Sequence, residues 1–362
     1  MSLTLGWYYH LPPCAEPREV DLAERESLDL LFDAHHRSGA AVGLALTGGM
    51  LAHMEGRFED SLRLLSELIA RGTVELMATS FHEVCPFLIP PHYLRQQIEA
   101  DLGIKWRLLR ARPRAFWPGN CAWAPVLAPM LAACGLETSV VGEAHLREAQ
   151  QTQLWRWLQA DAMHMGTALI DTTLTDGVQA RGYRLAAGPD HTLTLLVQED
   201  GLRRALSFGA QGAIHHPWDD QPLDALVTQL ENTGSLLEST ARRFSGDDGD
   251  RINPVSIHQY RRCLQRIGQV LLPPSAGVEG ARADTLAFLP AHAPGGMAFW
   301  QDSVAQSYLL MLDALYRAVD QQRIDCAEVL PLQDVFPIFW KRVARARWFH
   351  ERAWALLQRA GG

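Results

Sequence analysis

The regular alternation of short apolar runs with amphipathic runs over the first 140 or so residues most constrains how this chain can fold. Leu3 to Tyr9 is an apolar and aromatic run ending at His10-Leu-Pro-Pro. Glu24 to His36 follows with Leu28, Leu31 and Phe32 at helical spacing. Ala41 to Leu46 reads as a second strand stopped by Thr47-Gly-Gly. Phe58 to Ala70 is a helix closed by Arg71-Gly72, and Val74 to Ala78 is a third strand. The pattern continues with a helix over Tyr93 to Leu109, a strand over Arg114 to Trp117, a helix over Val126 to Cys134 and a strand over Ser139 to Val141. Strand–helix–strand repeats imply parallel pairing with helices packed outside the sheet.

Two more apolar segments lie between His191 and Phe208, and Leu223 to Leu237 reads as a helix. After Asp247-Asp-Gly-Asp250 the texture changes: Ser256 to Leu271, Ser303 to Val319 and Ile338 to Gln358 all have helical spacing. A Pro/Gly/Ala-rich link, Pro273 to Gly296, separates the first two. The division expected is a barrel over 1–255 and a helical C-terminal region over 256–362. With 362 residues the chain has enough length for one large core, since an α/β barrel absorbs about 250 residues as one domain.

In parallel α/β folds, ligand-binding groups gather at the C-terminal ends of strands. That rule selects His10, Thr47 to Gly49, Ser80 to Glu83, Trp117 to Asn120, Gly142 to His145 and Asp247 to Asp250. The composition narrows the ligand. A net charge of -8 without a long Lys/Arg run argues against nucleic acid, whose phosphates demand clustered positive charge. Arg242-Arg243 and the Arg342 to Arg347 group read as solvated helix faces. The 11 tryptophans suit a cleft for sugars, whose C–H faces stack on aromatic rings, although Trp also serves simply as core filler.

Six scattered cysteines without a C-x-x-C pair indicate neither a disulfide framework nor a zinc site. The N-terminal run has no basic leader and no long apolar core, and no apolar stretch reaches the roughly 18–20 residues of a membrane span. A cytoplasmic protein without membrane association is expected. Adjacent histidines at His35-His36 and His215-His216 diverge on either a helix or a strand, so a metal is not expected. Without a G-x-G-x-x-G turn, a Walker A loop or a G-x-S-x-G elbow, no nucleotide cofactor or serine-hydrolase chemistry is expected either.

Several of these segments, in the same order, resemble glycoside hydrolase family 57, which cleaves and transfers α-glucans. His10-Leu-Pro12 looks like the family's His-Gln-Pro, and Leu46-Thr-Gly-Gly-Met-Leu51 like its second-strand Ser-Gly-x-Leu. Gly72-Thr-Val-Glu-Leu76 with Phe81-His-Glu83 is similar to Gly-x-Val-Glu-Leu…Tyr-Tyr-Glu-Pro, and Ile89-Pro-Pro with Gln97-Ile98 continues it. Trp117-Pro-Gly-Asn120-Cys-Ala-Trp123-Ala-Pro125 resembles Trp-x-x-Glu-x-x-Trp-x-Pro, in which the Glu is the nucleophile; here that position is Asn120. Leu202-Arg203-Arg204 to Ser207-Phe208 is similar to Leu-Arg-Tyr…Pro-Phe. Asp247-Asp-Gly-Asp250 resembles the segment whose first Asp is the general acid/base, although the following Lys-Phe-Gly has become Arg251-Ile-Asn253. Phe299-Trp300 to Met311 looks like the first helix of the family's C-terminal bundle.

The resemblance implies an incomplete (β/α)7 TIM-like barrel followed by a C-terminal helical bundle, with no cofactor. Asp247 would be the acid/base and Asn120 the substituted nucleophile. His10, Glu83, Trp117, Asp248 and Trp300 would bind substrate. Each has a plainer reading as well: Asn120 as a loop residue before a helix, Asp247 as part of a surface turn, His10 as a core histidine, Glu83 as a loop acid, and the tryptophans as core. A retaining glycosidase needs two carboxyl groups about 5–5.5 Å apart. An amide is a poor nucleophile and carries no charge to stabilise an oxocarbenium-like centre, but both its ends can hydrogen-bond sugar hydroxyls. Three functions stay open. One is an α-glucan or oligosaccharide-binding pseudoenzyme with an undefined protein partner. Another is an active hydrolase or glucanotransferase in which Asn120 holds a water, or a carboxylate such as Glu83 or Glu143 substitutes. The third is a chain of this fold that handles no sugar.

Overall fold

The computed structural model describes residues 3–86, 88–119, 123, 126–142, 183–187, 191–198, 236–243, 303–335 and 343–361. Strand β1 is Leu3–His10; α1, Pro17–Ala23, leads through a π-helical turn at Glu24–Leu28 into α2, Asp29–Ser38. Strand β2, Val42–Leu46, is followed by the short helix α3, Gly48–Met54, then by α4, Glu59–Ala70, and β3, Val74–Met77. Helix α5 is Pro91–Leu109, β4 is Ala115–Phe116, α6 is Leu127–Ala133 and β5 is Thr138–Gly142. Strands β6, Tyr183–Ala186, β7, Thr192–Gln198, and β8, Leu236–Arg243, complete the sheet. The C-terminal part contributes α7, Ser303–Asp320, α8, Cys326–Val329, a 3-10 turn at Leu330–Gln333, and α9, Val343–Gly361.

The order β3-β2-β1-β8-β7-β5-β4 runs parallel throughout, with β6 antiparallel on β7. A parallel bridge between Ala78 and Phe116 joins the two ends of that order. It consists of Ala78 N–H donating to the Ala115 carbonyl at 2.7 Å and Trp117 N–H donating to the Ala78 carbonyl at 2.8 Å. The result is a mixed α/β chain built on a ring of parallel strands.

Strand periodicity sorts the aromatic run of β1: Tyr8 packs with Ala45, Met77, Ala115, Trp117, Val140 and Leu196 inside the ring. Its neighbours Trp7 and Tyr9 face the other way, into the core made with α2, α3 and α4. Helix α4 buries Leu62, Leu65 and Leu68 on one side and opens with Glu59 and Asp60, the charge sign a helix N-terminus favours. Gly72, at φ +73°, makes the left-handed turn from α4 into β3. The C-terminal helices share a continuous core with α5 and α6, in which the Tyr93 and Tyr316 rings stack at 4.5 Å and those of Tyr308 and Phe349 meet at 4.6 Å.

Two expectations need correction. Thr47-Gly-Gly does not simply stop β2: Thr47 caps α3, its hydroxyl accepting from Met50 N–H at 3.3 Å. Leu236 and Leu237 belong to β8 rather than to the end of a helix, and Arg242 and Arg243 are paired in that strand opposite Tyr9 and His10. The rest of that expected helix, the helix at Ser256 to Leu271 and the expected boundary at 255 lie outside the described residues.

Candidate functional site at the C-terminal end of the strands

The site begins with His10, the last residue of β1 and completely buried. Its Nδ1 lies 3.2 Å from the Thr47 hydroxyl, so the residue that caps α3 also orients the imidazole. Its Nε2 lies 3.0 Å from Oδ2 of Asp334 and 3.8 Å from Oε2 of Glu83. Both acids are buried, and they are tied to each other through the backbone. Glu83 N–H donates to Asp334 Oδ2 at 3.3 Å, and Val335 N–H donates to the Glu83 carbonyl at 2.9 Å. Two carboxylates share one imidazole in a buried polar cluster at this end of the ring. Buried polar groups of this kind persist only where they are well partnered.

The segment carrying Glu83 is held from behind. Asp101 on α5 accepts from Thr79 N–H and from the Thr79 hydroxyl, each at 2.9 Å. Lys105, one turn on, donates to Asp101 at 2.6 Å and to the Met77 carbonyl at 2.9 Å. Burial drives Asp101 towards a raised pKa and Lys105 towards a lowered one, and their mutual attraction opposes both shifts. Histidines ring the cluster: burial depresses His82 to about 4 and also lowers His53, whose Nε2 faces the Pro12 carbonyl at 3.3 Å. The His82 imidazole is therefore neutral at pH 7. Burial, followed by the charge of Asp334, pushes the nearby Cys14 thiol up to about 12 and leaves it unreactive.

Trp117 is 1% exposed and meets Tyr8 edge-on, with ring centroids 5.7 Å apart. The chain then runs directly over the acidic cluster. A Cβ on Gly119 would lie 2.8 Å from Glu83 Cγ and 3.4 Å from the Tyr8 hydroxyl, so only glycine permits this approach. Trp123 points away, buried, and donates its indole N–H to the Val140 carbonyl at 2.8 Å.

Of the residues singled out from the sequence, His10 and Glu83 meet each other, and Trp117 lies below them against Tyr8. Thr47 from the strand-end set touches His10 as well. Asn120, Glu143, Asp247, Asp248 and Trp300 lie outside the described residues. Asp334 escaped sequence reading altogether. Its one signal was an acid set in the apolar run Val329-Leu-Pro-Leu-Gln-Asp334-Val-Phe, where burial obliges a partner. Among the described residues no group of three or more His, Cys, Asp or Glu is arranged to hold a metal ion, and no helix is long and apolar enough to cross a membrane.

A ring of parallel strands with acids and an imidazole at its C-terminal end is a (β/α)7 barrel-type fold with a polar cluster where such barrels place their ligand groups. The family follows from sequence: residues 16–222, more than half of the chain, match the model of glycosyl hydrolase family 57, and the chain belongs to that family. It is 28% identical over 240 residues to an α-amylase of Pyrococcus horikoshii, a match covering 64% of this chain and 35% of that one. Among solved structures it is similar to a family 57 branching enzyme of Thermococcus kodakaraensis, with a TM-score of 0.68 at 14% identity, covering 99% of this chain and 88% of that one. It is similar too to the 4-α-glucanotransferase of Thermococcus litoralis, with a TM-score of 0.62 at 17% identity, covering 88% of this chain and 45% of that one. The chain thus spans less than half the length of both the amylase and the glucanotransferase.

Proposed function

We propose that this protein binds an α-glucan or oligosaccharide at the C-terminal end of its strands and lacks the family's standard retaining hydrolysis. What supports this reading is the sequence Trp117-Pro-Gly-Asn120-Cys-Ala-Trp123-Ala-Pro125, which resembles the family's nucleophile segment with Asn120 in place of Glu, and in which Gly119 is packed against Glu83. Without a carboxylate there, no covalent glycosyl–enzyme intermediate can form at that position. His10, Glu83 and Asp334 supply acceptors and a donor for sugar hydroxyls, with Trp117 and Trp300 as aromatic surfaces. Asp247 would remain as an acid without its partner, and Asp248 as a hydroxyl ligand. Strand β8 ends at Arg243, in register with His10. A barrel over 1–255, a helical region over 256–362 and a cytoplasmic location accompany this reading.

The test is turnover of maltooligosaccharides followed by anomeric NMR. Binding without turnover in the wild type, with activity gained in Asn120→Glu, is expected. Sustained wild-type turnover would overturn the reading and favour a second one, in which the enzyme is active by another route. That alternative draws on the Glu83 and Asp334 carboxylates, both beside His10 Nε2, as a second acid pair in the site. It requires activity to disappear in Glu83→Gln and in Asp334→Asn. A protein binding no glucan in either the wild-type or the Asn120→Glu form would leave the fold without a sugar function.

A further inference from the structure

Glu83 and Asp334 come from opposite ends of the chain, yet their carboxylates converge on one imidazole nitrogen. A third residue, itself outside the site, holds both segments. Gln97 lies on α5 with its side chain completely buried. Its Oε1 accepts from His82 N–H at 2.9 Å, immediately before Glu83. Its Nε2 donates to the Leu330 carbonyl at 3.0 Å and to Gln333 Oε1 at 2.8 Å, immediately before Asp334. The Gln97 carbonyl accepts from Phe81 N–H at 3.0 Å, so one residue clamps the Glu83 loop at two points. Gln333 is braced on its far side, where its carbonyl accepts from the Tyr308 hydroxyl at 3.0 Å.

We propose that Gln97 is a positioning residue that sets the placement of Asp334 and Glu83 against His10 by joining the β3–α5 loop to the 330–335 segment. An amide suits this task because one end accepts and the other donates twice; no carboxylate, hydroxyl or apolar chain of that length does both. The joint is internal to the protein, so it is built whether or not a ligand is present. Its consequence for affinity rests on the glucan-binding reading above, whereas its consequence for His10 does not.

The experiment therefore has two arms. In the first, ligand-free protein carrying 13C-labelled histidine is compared by NMR as wild type, Gln97→Met and Gln333→Leu. Gln97→Met keeps the side-chain length and loses all three side-chain hydrogen bonds; Gln333→Leu removes the bond nearest Asp334, along with the contact to Tyr316, and leaves Gln97 bonded to His82 and Leu330. The His10 ring signal is expected to shift or broaden in both, more in Gln97→Met. The signal of His35, bonded to the Ala40 carbonyl at 2.8 Å on α2, is expected to stay fixed. An unchanged His10 signal in folded Gln97→Met, or equal changes at His10 and His35, would overturn the proposal. If Gln97→Met does not fold, the same criteria apply to Gln333→Leu.

In the second arm, maltoheptaose affinity is expected to fall about tenfold in Gln97→Met and less in Gln333→Leu, the size of loss a modest displacement of site groups causes. Full wild-type affinity in Gln97→Met would overturn the link to binding. No binding by the wild type would reject the glucan reading and leave the His10 result to decide the positioning role.

Discussion

Lys105 and Asp101 are the two most deeply placed opposite charges behind the site, and they are one helical turn apart on α5. Lys105→Met leaves the Asp101 carboxylate buried with its countercharge removed, which is expected to cost about 3–5 kcal/mol in urea unfolding. Replacing both, as Asp101→Leu with Lys105→Met, should recover part of that loss, because no buried charge is then left alone. The recovery will be incomplete, since Thr79 N–H and the Met77 carbonyl lose their partners. Gly119 makes a different prediction. In Gly119→Ala the new methyl must displace Glu83, so glucan affinity should fall by about tenfold while the melting temperature changes little, as expected for local displacement of a site group. Isothermal titration beside a thermal melt checks both halves of that statement.

At the scale of elements, the π-helical turn between α1 and α2 carries a buried acid, Glu24. The Ser61 hydroxyl lies within hydrogen-bonding reach of both Glu24 and Asp29, the latter at 2.7 Å, yet it has one proton to give. Burial is the main reason that Glu24 is raised from 4.5 to about 7. A carboxyl raised on folding holds its proton in the native state while the unfolded chain has released it, so stability from this group is present below about 4.5 and lost as pH rises through about 7. Glu24→Gln should flatten that slope and leave the protein more stable at pH 8 by on the order of 1 kcal/mol after solvent screening. Urea midpoints at pH 5 and pH 8 measure it.

Elements also show where sequence reading reached its limit. The strands up to β5 and helices α4 to α7 were legible because their apolar residues fall at the proper period. Strand β8, with the sequence Leu-Leu-Glu-Ser-Thr-Ala-Arg-Arg, has no such period, and its structure comes from eight paired positions along β1. Helix α3 opens on two glycines that read as a breaker, because its stability comes from the Thr47 cap and burial of Met50, Leu51 and Met54. His10 and Glu83 could be placed by the strand-end rule. Asp334 could not, because only tertiary packing carries the 330–335 segment to the end of β1.

For the whole molecule, the C-terminal helices complete a core that α5 and α6 leave open. A chain ending before Ser303 would uncover the Tyr93 ring, which stacks on Tyr316, and would also remove Asp334 from His10. It is expected to lose near-ultraviolet circular dichroism while keeping much of its far-ultraviolet signal, the signature of lost side-chain packing. The ring itself is unevenly sewn. Where β1 meets β8 eight positions pair, but β3 and β4 are joined only through Ala78, and β7 and β8 share a single paired position among the described residues. Among the described residues, backbone pairing thus sorts the strands into two groups, one bearing Tyr8 and His10 and the other leading to Trp117, packed together inside the ring but joined by few backbone hydrogen bonds. A sugar lying across the mouth would rivet one group to the other, and the amides of Ala78 and Trp117 would report it as slowed exchange with solvent deuterium.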